Sequence, residues 1–400
     1  MTVRGVFASH SSIVGDRQPT LSGRILKKGF AGTAPLLALS SGMPEDKVTD
    51  TTWSWIEDSH ISGNTKSTPG VASTVTTVIP IDDSNIWTKN SIIMVEATGE
   101  HLLVISVDSP TQVTVRRGMS GTTAANIPAN GTLQLIGTAF AEGSGKPEAV
   151  MQNGQSYSNY VQIFKNGWAI TGTAKAVQYL TGSKLATSKE QASYFHMESI
   201  ERAFLYGRKA VTVLNNQELR LTNGIIPQIE SYGGLVQSAA YGSVSGQMSM
   251  QGFQDFIMTL FRKQAKGLPN ERIAFTGTSV LSLIQTMARK DTEYHLDVSD
   301  SEYGFNVTTL NFLGNKLKFL THPLMTENNI WDHELYVLHP GLIRKRILRP
   351  TWSQEFTIAN NTNNGIDADE GFIADEMGFE LKGAELCGIM RNIQTAVASA

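Results

Sequence analysis

Five carboxylates crowd the stretch GIDADEGFIADE, and Asp367, Asp369, Glu370, Asp375 and Glu376 are hard oxygen ligands of the kind calcium takes. The spacing is not that of an EF-hand loop, so the stretch reads as a solvated acidic loop. His322, His333 and His339 fall near one another beside Asp332, the ligand types of a zinc site, yet their intervals fit no common pattern and turn or strand-edge histidines are expected. GSGKP at 143–147 has the lysine and glycines of a phosphate-cradling loop, but Phe140 stands where the first glycine belongs and Pro147 where a hydroxyl is required. The cations Arg344, Lys345, Arg346 and Arg349 could meet phosphates. On a strand, Arg344 and Arg346 share a face and Lys345 points away, which leaves a small patch better suited to a salt-linked edge. No GxSxG elbow and no HExxH pair occurs in the sequence. No catalytic residue, cofactor-binding residue or metal ligand is assigned, and 400 residues without such a signature point to an assembly component.

Composition supports the same direction. At 40% hydrophobic, 17% charged and net charge −3, the chain is a folded one of two or three domains and not a basic nucleic-acid binder. Runs such as SIIMV and LLVISV are too short to cross a bilayer as helices, and MTVRGVFASHSS lacks the apolar core of a signal peptide, so cytoplasmic synthesis is expected. Cys387 is the single cysteine; it rules out an internal disulfide framework, has no setting of a thiolate catalyst, and is expected to be buried.

The elements that would carry these residues follow from periodicity. Residues 1–49 hold several glycines and prolines and read as an extended arm without a core of its own. In TTWSWIEDSH, Trp53 and Trp55 alternate as on a strand and share one face. From 74 to 140, the runs TVTTVIPI, SIIMVEA, EHLLVISV, QVTVRR and TLQLIG predict a small β-barrel or sandwich, inserted between the flanking segments 50–73 and 141–184. YVQIFKNGWAITG predicts a hairpin turning at Asn166-Gly167, with Phe164 and Trp168 on its arms. A long helix follows, starting near Ser188 behind a Thr187–Glu190 capping box, with Met197, Ile200, Phe204, Gly207 and Val211 as its apolar stripe. Gly207 in that stripe implies close approach of a neighbour. GGLVQSAAYGSVSG reads as flexible. SMQGFQDFIMTLFRKQ predicts an amphipathic helix, ERIAFTG a strand, and TSVLSLIQTMARK a helix capped by Thr278 or Ser279. Two strands around Leu-Gly-Asn-Lys, the strand HELYVLHP and the returning tail complete an α+β block.

This order of parts resembles the major capsid protein of tailed bacteriophages, the Hong Kong 97-like fold, in the branch with a β-rich insertion. The stretches that carry the resemblance are TGEHLLVISVDSPTQVTVRRGMSGTTAA, ESIERAFLYGRKA, GIIPQIES, LHPGLIRKRILRP and GFIADEMGFELKGAELCGIM, spread over most of the chain. It implies a spine helix and first peripheral part at 185–245, an axial domain at 246–348 and returning peripheral strands at 349–400. It also implies an extended loop in which Trp53, Trp55, Phe164, Asn166, Gly167 and Trp168 contact a neighbour. By the same resemblance the chain assembles as pentamers and hexamers into an icosahedral head around double-stranded DNA, within a virion built in the bacterial cytoplasm. Arg344 and Arg346 would then face the lumen, where packaged DNA makes non-specific contact. A portal and a decoration protein are implied partners; no membrane and no cofactor are.

Two departures qualify the resemblance. No long charged helical segment precedes the fold, so a separate scaffolding protein is expected, and the start at Met1 carries the expectation that the N-terminus is not trimmed. The lysine and asparagine of a subunit crosslink have no assignable positions. The competing readings are an encapsulin-like compartment shell, a β-rich adhesion or binding protein, and an enzyme whose site is assembled from residues distant in sequence.

Overall fold

The computed structural model describes residues 45–58, 63–84, 87–151, 153–179, 182–265, 267–290, 296–302, 305–312, 315–359 and 365–397. Most of the expected arm, residues 1–44, lies outside them. The chain divides into two compact units, one running from Ile56 to Tyr157 and the other made of the chain on both sides. Strands β1 (Glu45–Lys47) and β2 (Thr52–Glu57) come first, and the boundary falls within β2 and again within β9 (Gln155–Tyr160).

The unit Ile56–Tyr157 is one six-stranded sheet. Its strands are β3 (Asn64–Lys66), β4 (Val78–Pro80), β5 (Ser91–Val95), β6 (His101–Ser109), β7 (Gln112–Met119) and β8 (Thr132–Thr138), in the order β3-β8-β5-β6-β7-β4. The sheet curls until its edges meet: the residues after β4 bond back to β3, with the Asp82 amide donating to the Lys66 carbonyl at 2.9 Å. Alternation puts Ile93, Val95, Leu102, Val104, Val113 and Val115 inside, as a half-buried strand demands. Of the expected strand TVTTVIPI only Val78–Pro80 pairs, because Val75 is solvent-exposed and joins no ladder. One charge pair sits in this core. Glu100 accepts from Arg117 Nε and Nη2 at 2.8 and 2.7 Å and from the amides of Gly118 and Ala125, both at 3.1 Å.

The other unit is built round a four-stranded sheet of order β1-β22-β23-β10. It uses β10 (Gln162–Thr171), β22 (Ile343–Phe356) and β23 (Ala368–Leu381), with β1 added parallel to the start of β22. Here the structure corrects the expected hairpin: β10 runs straight through Asn166-Gly167, paired antiparallel with β23 over its whole length. Local turn preference loses to ten continuous residue pairs on a partner strand long enough to satisfy them. After the short helix α1 (Gly172–Ala176) comes the long helix α2 (Lys184–Tyr206), then the hairpin β11 (Ala210–Leu214) and β12 (Gln217–Leu221), and helix α3 (Ile225–Ser231). The helix starts a turn earlier than Thr187 implied. Ser183 is its cap, its side chain accepting from the Ala186 amide at 3.4 Å. It also ends earlier, at Gly207, so Val211 lies on β11 and not on the stripe.

The passage expected to be flexible holds β13 (Leu235–Ser238), β14 (Ala240–Tyr241), β15 (Val244–Ser245) and β16 (Gln247–Ser249), leading to helix α4 (Met250–Phe261). Then follow β17 (Glu271–Thr276), α5 (Thr278–Lys290), β18 (Leu296–Glu302), β19 (Phe305–Phe312), β20 (Asn315–Thr321), α6 (Pro323–Glu327), β21 (Leu335–Leu338), β24 (Gly388–Arg391) and β25 (Thr395–Val397). A seven-stranded mixed sheet orders them β13-β24-β21-β17-β20-β19-β18. Its central strands are apolar on both faces because both are covered. Ile273, Phe275, Tyr336 and Leu338 join a core with α2 and α3, while Ala274, Phe319, Leu335 and Val337 join a second core with α4 and α5. The cap of α5 comes from elsewhere in the chain: the Ser279 amide and hydroxyl both donate to Asp332, not to Thr278.

Candidate functional site

The residues singled out from the sequence converge on the face where α2 crosses β10 and β23. The helix buries Ala192, His196, Ile200, Glu201, Phe204 and Leu205, a 3.6-residue stripe that shares only Ile200 and Phe204 with the expected one. Met197 is 36% exposed and Val211 43%, so neither packs in the core. The mismatch arises because polar His196 and Glu201 take inward positions and find partners there. His196 bonds Asn166 Oδ1 at 2.9 Å and Asp375 Oδ2 at 2.6 Å, and Glu201 meets His322 Nε2 at 2.8 Å, with both members of that pair fully buried. Phe204 packs against Phe164 edge to face at 6.2 Å and against Phe379 at 3.3 Å.

Gly207 does mark a close approach, at the helix end. Its φ of −57° suits any residue, but a Cβ there would stand 2.4 Å from the Ala203 carbonyl oxygen and 2.8 Å from that of Thr222. Gly224 is held by the same contact, its amide donating to the Gly207 carbonyl at 2.7 Å. Space, not backbone conformation, selects glycine at both positions.

The aromatic residues expected to reach a neighbour are inside the subunit. Trp53 lies on β23 where Gly378 leaves room for its ring, and Trp55 meets Tyr232 edge to face at 6.2 Å. Phe164 is in the core described above, and Trp168 lies under Lys189, whose ammonium is 4.5 Å above the ring. Of the six residues only Gly167 is solvent-exposed; Asn166 is half-buried on His196. Alternation along a strand with one covered face accounts for this, since positions 164, 166 and 168 point one way and 167 the other.

Most of the acidic stretch is not a solvated loop but part of strand β23, where Asp369, Asp375, Glu376 and, further along, Glu380 are buried; Asp367 precedes the strand and is exposed. Asp369 accepts from Lys175 at 2.5 Å, and that hydrogen bond holds its carboxyl below the usual range. Asp375 accepts from His196 and Thr351, and Glu376 from Arg349 at 2.5 Å with Arg220 at 3.6 Å. Glu380 takes Arg346 through two bonds of 2.8 and 2.9 Å, with Lys382 at 3.4 Å. The cations expected to face a lumen are thus paired within the subunit. Arg346 also touches Asp46 at 2.9 Å, Arg344 bonds Asp46 at 3.0 Å, and Lys345 bonds Glu45 at 2.7 Å, which fastens β1 to β22. The hydrogen bond from Arg344 lowers the Asp46 carboxyl. Missed at the level of sequence were Asn159, which joins the Asn223 and Phe379 carbonyls, and buried Arg272, which donates to the Leu386 and Glu271 carbonyls. Neither stands in a motif that spacing could reveal.

Among the described residues no three His, Cys, Asp or Glu side chains are placed to hold a metal ion. His322, His333 and His339 go to separate partners: Glu201, the Ile393 carbonyl and the Pro269 carbonyl. Cys387 is fully buried, and GSGKP is exposed and outside any element. The buried carboxylates of β23 are joined to cations from α1 and β22, which fastens that strand to its neighbours.

The profile of the family described as SU10 major capsid protein matches residues 5–394, and the chain belongs to that family. It is a phage major capsid protein, a component of the virion capsid and not an enzyme, and it works as one copy among many in a homo-oligomeric shell. The major capsid protein of Pseudomonas phage PaMx41 is 26% identical over 391 residues, which cover 94% of this chain and 93% of that one. Among solved structures, the capsid of Myoviridae phage XM1 aligns over 97% of this chain and 99% of its own at 10% identity, with a TM-score of 0.46. A solved structure described as Mycobacterium phage Cain aligns over 99% of this chain and 100% of its own, also at 10% identity and a TM-score of 0.46.

Proposed function

We propose that this chain is the Hong Kong 97-like subunit of a tailed phage, closing as pentamers and hexamers into an icosahedral head around double-stranded DNA. The observation that carries the reading is membership of a major capsid family along nearly the whole sequence, residues 5–394. In this reading α2 is the spine, the sheet β1-β22-β23-β10 is the peripheral platform, and the seven-stranded sheet is the axial domain around the symmetry axes. The unit Ile56–Tyr157 is a β insertion carried on the extended loop and exposed on the outer surface. A separate scaffolding protein sets curvature, a portal occupies one vertex, and a decoration protein is a further partner. Gly167, exposed on the platform, is the one residue of the expected extended-loop set retained here as a contact with a neighbouring copy.

Negative-stain electron microscopy with light scattering tests this on the full chain, produced alone and with the phage's other head proteins. Closed polyhedral particles are expected with those proteins present; a persistent monomer there would overturn the shell geometry. Uniform shells from the chain alone would remove the separate scaffold, and a map with the β unit in the lumen would reverse its assigned side.

A further inference from the structure

Asn-Gly, a turn signal at 166–167, occurs five times in the chain: at 130–131, 153–154, 166–167, 223–224 and 364–365. The pair has a chemistry of its own. With no side chain on glycine to obstruct it, the glycine backbone nitrogen can attack the asparagine side-chain carbonyl carbon. A C–N bond forms, the side-chain nitrogen leaves as ammonia, and a cyclic succinimide results. Water then opens either of its carbonyls, leaving aspartate or isoaspartate. The sum is water in and ammonia out, with no oxidant and no other reactant. The asparagine must rotate until its Cγ lies on the next nitrogen, so whatever fixes the local backbone and side chain slows the reaction.

Three of the pairs are fixed in this way. Asn130 has φ 59° and its amide donates to the Ser67 carbonyl at 2.8 Å, while the Gly131 amide donates to the Pro128 carbonyl at 3.0 Å. Asn166 and Gly167 pair with Ile373 and Phe372 in the β10–β23 ladder, and Asn166 Oδ1 is held at 2.9 Å by His196. Asn223 is buried, its Oδ1 accepts from the Lys209 amide at 3.2 Å, and the Gly224 amide donates to the Gly207 carbonyl at 2.7 Å. In each pair the attacking nitrogen, or the side-chain carbonyl it must reach, is already committed. Asn153-Gly154 is placed differently. Both residues are exposed and belong to no helix or strand, in the stretch between the end of β8 at Thr138 and the start of β9 at Gln155. Asn364 lies outside the described residues.

We propose that Asn153 is a site of self-modification: in the folded chain it converts, through a succinimide with the Gly154 nitrogen, to aspartate and isoaspartate, ahead of Asn130, Asn166 and Asn223. The product carries a new carboxylate on the unit Ile56–Tyr157 and, in the isoaspartyl form, an additional backbone methylene just before β9. The chemistry requires no second copy, so it is independent of the shell geometry.

The test ages the full chain, folded, in warm, mildly alkaline buffer. Peptide mapping by mass spectrometry reads acid in place of amide at each Asn-Gly, and an isoaspartyl methyltransferase labels the rearranged form. Asn153 is expected to convert at least about tenfold faster than each of the other three. A second sample aged in urea gives all four the backbone of an unfolded chain. There the rates should draw together, with Asn130, Asn166 and Asn223 accelerated and Asn153 changed least. The proposal is overturned if any of the three keeps pace with Asn153 in the folded chain, or if Asn153 stays an amide there while it converts in urea. An equal preference for Asn153 in urea would trace the selection to flanking residues and not to the fold, which defeats the assignment as well.

Discussion

Gly207 and Gly224 meet where α2 ends, and neither has room for a methyl group. Gly207→Leu is therefore expected to lose about 1–3 kcal/mol of folding stability, the usual cost of overpacking, read as a lower urea midpoint of the monomer. The sequence marks Gly207 as a site of close approach but not as a terminus, because Val211 continues the three-and-four spacing onto a residue that is already a strand. Glu100 is a second residue of this kind, invisible to pattern because its partner Arg117 is brought to it by β6 and β7. Burial pushes its carboxyl up, but the bonds from Arg117, Ala125 and Gly118 outweigh that and leave it below the ordinary glutamate value. A depressed carboxyl contributes stability that is present above the unfolded pKa and is lost as pH falls through the lower folded one. The melting of the β unit should thus weaken below about pH 4, near the unperturbed glutamate value. Glu100→Gln should remove that dependence and cost about 3–5 kcal/mol at neutral pH, because the buried Arg117 charge keeps its bonds to the Ser73, Thr76 and Ala125 carbonyls but loses its carboxylate, a loss that a pH series of thermal melts measures.

Elements were legible in proportion to how local their causes are. The strands β5 to β8 follow from alternation alone, and α4 from phenylalanines on one face, so both stand close to where periodicity puts them. The acids of β23 misled for a definite reason. A run of carboxylates reads as solvated unless the cations that neutralise it are known, and Lys175, Arg349 and Arg346 arrive from other segments. The straight course of β10 through Asn166-Gly167 likewise depends on a strand two hundred residues away in sequence. The cap of α5 belongs with these cases. Asp332 serves the helix start from a later segment, so Asp332→Ala should destabilise by about 0.5–2 kcal/mol, and Thr278→Ala by less. Urea unfolding of the two variants compares them directly; equal effects would return the cap to Thr278.

For the whole molecule, the division into two compact units bears on how it unfolds. The β unit has a closed core of its own, and chains with more than one such core depart from a single cooperative transition. Scanning calorimetry of the unassembled chain is expected to resolve two transitions, of which acid moves the one belonging to the β unit. One transition that shifts as a whole would mean that the two cores melt together. The strand runs expected over 74–140 lie within the unit Ile56–Tyr157. That unit also holds β3 and the first residues of β9, short or polar strands that no apolar pattern announces.

The pairing of β10 with β23 has a mechanical side. Ten residue pairs run antiparallel along the full length of β10, and β22 flanks β23 over a similar span. Tension directed along these strands strains all of their backbone hydrogen bonds at once, in shear, whereas a pull across them would open the bonds singly, like a zip. The neighbouring β22–β23 ladder is crossed by the ion pairs of Glu376 with Arg349 and Glu380 with Arg346, which resist sliding of those two strands past each other. A subunit built this way is stiff in one direction and compliant in the other, and the stiff direction is the axis of β10 and β23.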